Sequence, residues 1–186
     1  MTSPSPPSPT FARDTRAVGR EPTAPVWHAF LQGPLAPRLR LRGNISSGDR
    51  DPGDATLGTF NALFPKGKYF GELSSIGPRN IVNLHPSVDV DVDLGHGLTA
   101  ELAGVAYWRT GRGDGVYDVP GQLIRAANGS DARHIGNQIE LLLGWQASTI
   151  LSFSVSASVF APGGFLRESG PARPIHMLGA EAMFRF

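Results

Sequence analysis

Between residues 82 and 94 the chain alternates without a break. Val82, Leu84, Pro86, Val88, Val90, Val92 and Leu94 are apolar; Asn83, His85, Ser87, Asp89, Asp91 and Asp93, interleaved with them, are polar. A period of two sends the two sets to opposite faces of a β-strand. Gly95-His96-Gly97 then supplies a turn, and a second alternating run puts Leu98, Ala100, Leu102, Gly104, Ala106 and Trp108 on one face. Each run has about the length, roughly 9–11 residues, that a tilted strand needs to cross a bilayer. The pair reads as one hairpin of an outer-membrane barrel.

A chain of 186 residues makes one domain or part of a larger one. Its hydrophobic content of 40% is no more than a soluble protein carries. No stretch approaches the roughly 18 apolar residues of a spanning helix, which excludes helical insertion. Barrel strands, apolar on one side only, reconcile the modest hydrophobicity with a membrane fold. The absence of cysteine removes a disulfide framework, a thiol nucleophile and a thiolate metal site. The 23 glycines and 16 prolines argue for turns rather than long helices.

Residues 1–35 are rich in proline and serine and carry too little apolar surface to fold, so they are expected to be a disordered tail. They contain no basic segment followed by an apolar one, so no export signal is visible, and Val26-Trp27-His28-Ala29-Phe30-Leu31 is too short to serve as one. This leads to the expectation of a misassigned start or a piece of a longer chain, with residues 36–186 as the barrel portion.

The first strand is expected over residues 37–46, with Leu39, Leu41, Gly43 and Ile45 opposite Arg38, Arg40, Arg42 and Asn44. A long Gly/Pro/Asp-rich connection, residues 48–79, leads into the 82–108 hairpin. A polar loop over residues 110–131 precedes a fourth strand over 133–146, in which Ile135, Asn137, Ile139, Leu141, Leu143 and Trp145 oppose His134, Gln138, Glu140 and Gln146. After a tight turn at Ala147 and Ser148, Leu151, Phe153, Val155, Ala157 and Val159 alternate with Ser152, Ser154, Ser156 and Ser158. A globular core would not tolerate that row of hydroxyls without partners, whereas a water-filled lumen would. A loop over residues 161–173 and a last strand over 174–186 complete six strands in an antiparallel up-and-down order.

The connections alternate long, short, long, short, long, the pattern of outer-membrane barrels with short periplasmic turns and long extracellular loops. On the apolar face Trp108 falls at the outer rim and Trp145, Phe184 and Phe186 at the inner one, where aromatic belts sit. A soluble antiparallel barrel or sandwich, with the apolar set turned inward, is the alternative fold.

The loops sharpen the reading. Ser47-Gly48-Asp49-Arg50-Asp51-Pro52, leading to Leu57-Gly58-Thr59-Phe60-Asn61-Ala62-Leu63-Phe64-Pro65-Lys66-Gly67-Lys68-Tyr69-Phe70-Gly71-Glu72, is similar to the large loop of the alginate export family of outer-membrane porins. So is its continuation through Gly77-Pro78-Arg79-Asn80 to Leu84-His85-Pro86-Ser87. Asp114-Gly115-Val116-Tyr117 with Pro120-Gly121, and Phe165-Leu166-Arg167-Glu168-Ser169-Gly170-Pro171, resemble later loops of the family. Phe184-Arg185-Phe186 resembles the aromatic-terminated signal read by the barrel assembly machinery. The resemblance, over about residues 36–186, implies a transport function rather than an enzyme, in a barrel much larger than six strands. It implies passive export of an anionic polysaccharide such as alginate through an arginine- and lysine-rich pore, with outer-membrane lipid outside and no nucleic acid as partner. Single-chain barrels begin at about eight strands, so six suit the C-terminal part of a larger barrel or several chains sharing one.

A polyanion needs fixed positive charge spaced along its path, with no single site too tight. The expected lumen cations are Arg38, Arg40, Arg42, Arg109, Arg133 and Arg185; those at the mouth are Lys66, Lys68, Arg79, Arg112, Arg125, Arg167 and Arg173. Arginine suits carboxylates because its planar fork gives paired hydrogen bonds. A competing account makes the first strand's arginines structural. Placed antiparallel to the second strand, Arg38, Arg40 and Arg42 would lie beside Asp93, Asp91 and Asp89 and form cross-strand ion pairs. Arg109 and the loop cations would then carry more of the selectivity.

Other motifs are weaker. Asp49, Asp51 and Asp54 lack the glycine position and terminal glutamate of a calcium loop, so a polar turn is expected there rather than a metal. The five histidines, His28, His85, His96, His134 and His176, have no ligand spacing. No cofactor is expected. Two other functions stand beside the channel: a barrel enzyme using a loop carboxylate with His85 or His134, for which no compact nucleophile–base–orienter cluster is evident, and a truncated, non-functional barrel remnant.

Overall fold

The computed structural model describes residues 26–30, as backbone only, together with 35, 37–51, 54–61, 67–73, 75–92 and 97–186. The elements are β1 (Val26–Phe30), β2 (Arg38–Ile45), β3 (Ile81–Asp91), β4 (Leu98–Arg109), β5 (Val116–Tyr117), β6 (Leu123–Arg125), β7 (His134–Gln146), β8 (Leu151–Pro162), α1 (Gly164–Ser169) and β9 (Ile175–Phe184). Seven strands form one antiparallel sheet in the order β1-β2-β3-β4-β7-β8-β9, and β5 and β6 form a hairpin apart from it. β1 and β9 are its open edges.

The six expected strands are present as β2, β3, β4, β7, β8 and β9, because each combines period-two alternation with a neighbour of matching pattern. The strands from β3 onward in the main sheet run 11, 12, 13, 12 and 10 residues, enough to cross a hydrocarbon layer at a tilt. One correction concerns the stretch expected to be a disordered tail. Val26–Phe30 is a strand, paired with β2 from Val26 opposite Arg42 to Phe30 opposite Arg38. Five residues could not hold a strand alone, but the free edge of β2 supplies a ready ladder. The remaining tail, residues 1–25 and 31–34, and the turn residues 93–96 with Asp93, lie outside the described residues.

The apolar rows point away from the chain's own core. Leu39, Leu41, Leu84, Leu102, Ile139, Leu141, Val155, Val159 and Leu178 are exposed, Leu178 at 80%. Trp145 stacks on Phe153 with ring centroids 5.7 Å apart, and Phe184 on Phe186 at 6.5 Å, all on that same face. The soluble alternative required these rows to pack inward. A continuous apolar surface of this extent is stable only against another apolar phase.

The buried core lies on the opposite, polar face, at the loop end of the sheet. Phe70 and Ile76 from the long β2–β3 connection, Val116 from β5 and Phe165 from α1 cover Val105, Tyr107, Ile135 and Phe160. Phe70 meets Tyr107 edge-on at 5.6 Å, a favoured aromatic geometry. The expected polar loop over residues 110–131 and the expected loop over 161–173 thus contain structure of their own, the β5–β6 hairpin and the short helix α1, because Val116 and Phe165 are pulled under cover. The serine row is corrected in the same way: Ser156 and Ser158 are buried beneath this layer rather than bathed in water, and Ser158 Oγ donates to Glu140 Oε2 at 2.8 Å.

Candidate channel lining

The polar face starts with the arginine row of β2. Its register against β3 sets Arg38 opposite Asp89, Arg40 opposite Ser87 and Arg42 opposite His85. The expected pairing of Arg38, Arg40 and Arg42 with Asp93, Asp91 and Asp89 is therefore displaced by four residues. Side-chain identity alone could not set it, because every two-residue slip keeps the same faces inward. Arg38 Nε donates to Asp89 Oδ2 at 2.5 Å, and Arg40 Nη2 bridges Asp89 Oδ1 at 2.8 Å and Glu101 Oε2 at 3.0 Å. Arg42 Nη2 donates to His85 Nδ1 at 2.5 Å, and Asn44 Nδ2 to Asn83 Oδ1 at 2.7 Å. The result is a cross-strand ladder over β2, β3 and β4 in which cations and acids alternate. Arg38 remains 53% and Arg40 38% exposed on their side chains, so both are paired yet reachable.

A second group arises where the β2–β3 connection folds onto the sheet. Residues 67–73 reach the middle of the strands rather than standing at the mouth. Glu72 N donates to Oε2 of Glu140, the central residue of β7, at 2.8 Å. Glu140 Oε2 also accepts from Ser158 Oγ, and Gln138, 3.5 Å away, in turn accepts from the Tyr107 hydroxyl at 3.2 Å. Gly71 permits this seat: its φ is +123°, and a Cβ there would lie 2.9 Å from both Glu140 carboxylate oxygens. Lys68, on the same segment, lies 2.6 Å from Glu72 and 3.5 Å from Glu181 of β9. The hydrogen bond to Glu72 holds its ammonium above the usual lysine range. Glu72, Glu101, Glu140 and Glu181 are the acids of these networks that sequence reasoning left out of the candidate site. Alternation puts Glu101 beside Asp89, and that signal was available; nothing in the sequence placed Glu72 against Glu140.

The other expected cations are distributed differently. Arg109 is fully buried, and its guanidinium donates to the carbonyls of Ala132, Arg112, Asp114 and Ser130 at 2.6–3.1 Å while stacking 3.9 Å over Phe165. It ties three loop segments together and is closed to any solute, so the expectation that it lines the lumen is corrected. Arg79 donates to Gly121 O and Asn61 Oδ1 and lies over the Tyr117 ring; Arg125 donates to Pro171 O at 2.7 Å. Arg112 and Arg133 line a groove at the loop end of the sheet together with Ile45, so Arg133 stands with the loop cations just before β7 begins. Arg167 is exposed in the last turn of α1, Arg173 lies beside Ala172 and Ile175 where β9 begins, and Arg185 is exposed beyond the end of β9. Lys66 lies outside the described residues.

Loop chemistry is carried by buried polar side chains. Both Asp114 oxygens are occupied, one by Asp49 N and Thr59 Oγ1, the other by Gly115 N and the Tyr117 hydroxyl. The Asn80 amide donates to Gly111 O and Gly115 O and accepts from Gly111 N. Asp49 accepts from Asp51 N and Asp54 from Thr56 N, the turn bracing expected of short acidic side chains. Among the described residues no cluster of three or more His, Asp or Glu side chains is placed to hold a metal ion.

Comparison with curated proteins returned no match. The family model for alginate export matches residues 15–178. That span runs from the tail to the first four residues of β9 and takes in the ladder, the inserted loop and most of the exposed apolar face. The sheet, half greasy and half charged, is a portion of an outer-membrane β-barrel, and the chain belongs to the alginate export family, a family of polysaccharide transport channels rather than of enzymes.

Proposed function

We propose that the polar face lines part of a pore through which an anionic polysaccharide leaves the cell passively, and that residues 67–73 narrow it. The observation carrying this reading is the ladder of Arg38, Arg40, Asp89 and Glu101, whose arginines are paired but still open to the interior. A uronate carboxylate arriving at Arg40 exchanges with Asp89 or Glu101 instead of meeting a bare cation. Each site is therefore weak, and a polymer passes from one to the next without being trapped. Lys68, between Glu72 and Glu181, repeats the arrangement on the inserted loop. Arg38, Arg40, Arg42, Arg185 and Lys68 are the cations this reading keeps on the path, with Asp89 and Asp91 as acidic neighbours. The apolar face meets outer-membrane lipid, and the exposed Phe184 and Phe186 suit recognition by the barrel assembly machinery.

Planar-bilayer recording of the closed barrel tests it. A preference for anions is expected, together with transient current block by uronate oligomers. A cation preference with no block would reject the proposal.

A further inference from the structure

At the loop end of β2 and β4 lies a groove of about 930 Å³. Its wall includes Ile45, which continues the apolar row of Leu39 and Leu41 and is 49% exposed. Arg50, Arg112 and Arg133 converge on the same groove, and all are exposed. Arg38, Arg40, Arg42, Arg79, Arg109 and Arg125 each have an acceptor. The guanidiniums of Arg50, Arg112 and Arg133 have no hydrogen-bond or ion-pair partner among the described residues. The groove also contains carboxylates: Asp49 and Asp54 accept backbone N–H groups from Asp51 and Thr56, and Asp51 completes the wall.

An occupant must satisfy three unpartnered planar forks and place an apolar portion against Ile45 and the rows below it. We propose that the groove holds the phosphorylated sugar head of an outer-leaflet glycolipid, with the phosphates on Arg50, Arg112 and Arg133 and the acyl chains along the apolar face. Bidentate guanidinium–phosphate pairing supplies the recognition, and continuity with the lipid-facing surface decides for a lipid over a free anion. The inference rests on the loop end facing the outside, as proposed above.

The test uses the full-length protein purified from outer membranes in mild detergent, with co-purifying phosphorylated glycolipid quantified by mass spectrometry. The triple variant R50A/R112A/R133A is expected to lose about tenfold or more of the bound glycolipid, because several charge-assisted hydrogen bonds go at once. It should keep the heat-dependent gel shift of a folded barrel and its channel conductance. The single Arg112→Gln change, at an exposed loop position, should give a partial loss and serves if the triple variant fails to assemble. Asp51→Asn removes a negative charge from the wall and should keep or raise the bound amount. Binding to phosphatidylcholine vesicles containing lipid A, but not to plain vesicles or inorganic phosphate, supports the assignment. Equal glycolipid on wild type and variant overturns it, as does displacement by uronate oligomers, which would make the groove a polysaccharide site. Loss on Asp51→Asn would assign it to a cation. Failure of ion selectivity with glycolipid still bound would strike the pore reading alone.

Discussion

Arg109 shows what one side chain does when every donor is used. Its guanidinium holds the carbonyls of Ala132, Ser130, Arg112 and Asp114, so Arg109→Met would leave acceptors from two loop segments without partners. Hydrogen bonds to a charged group contribute about 1.5–3 kcal/mol each, so a loss of at least ~3 kcal/mol is expected in denaturant unfolding from lipid vesicles. Arg109→Lys keeps the charge but not the fork, and should fall between the two. Tyr117 gives a pH signature. Burial, and then the Asp114 carboxylate that accepts its hydroxyl, push the Tyr117 phenol up to about 12. An unfolded tyrosine titrates near ~10, so the folded state keeps a proton that the unfolded chain loses above that pH. The stabilisation from Tyr117 is thus complete below about pH 10 and disappears as pH rises through about 12. Tyr117→Phe should flatten that limb of the stability curve; an unchanged limb would remove Tyr117 as its source.

At the scale of an element, β4 and β7 show opposite sides of one sheet. Leu141 of β7 is exposed on the apolar face, whereas Thr99 of β4 points to the polar one. Arginine at position 141 would put a charge into hydrocarbon and is expected to cost about 2–4 kcal/mol, while arginine at position 99 should be tolerated within ~1 kcal/mol. Equal costs would mean that the sheet has no lipid side. The inserted loop depends on Gly71 in the same local way. Gly71→Ala drives a methyl group against Glu140 at a φ that disfavours any Cβ, so residues 67–73 should leave their seat and single-channel conductance should rise. Unchanged conductance would show that this loop does not narrow the pore.

At the scale of the whole molecule, charges on the polar face are balanced rather than one-signed. Arg38 and Arg40 face Asp89 and Glu101, and Lys68 faces Glu72 and Glu181. Asp89→Asn with Glu101→Gln removes the competitors of two arginines, so anion preference should increase and uronate oligomers should dwell longer. The change should shrink with added salt, since the screening length is only about 10 Å at 0.1 M. Weaker anion preference in that double variant would mean that the acids, not the arginines, set the selectivity.

Strand existence, the turn order and most strand faces were legible from residues 37–186, because period-two alternation is a local property that each stretch carries by itself; Ile135, expected in the row of Ile139 and Leu141, instead lies in the core, next to an irregularity in the β4–β7 ladder. The family was legible in the loop residues for a related reason: Gly48, Asn80, Asp114 and Gly115 sit in close-packed loop junctions that tolerate few substitutes. Register was not, since slips of two residues leave every face unchanged, and so the partner of Arg38 became known only with the β2–β3 ladder. Nor were the fates of Arg109, Arg133 and Ser158, which depend on loops distant in sequence closing over one end of the sheet. The sequence by itself determined which side of each strand is greasy and which is wet. Tertiary structure alone decided which wet side chains stay open to a solute, because that choice is made by non-local packing of the 67–73 segment, β5 and α1, for which the chain has no periodic signal.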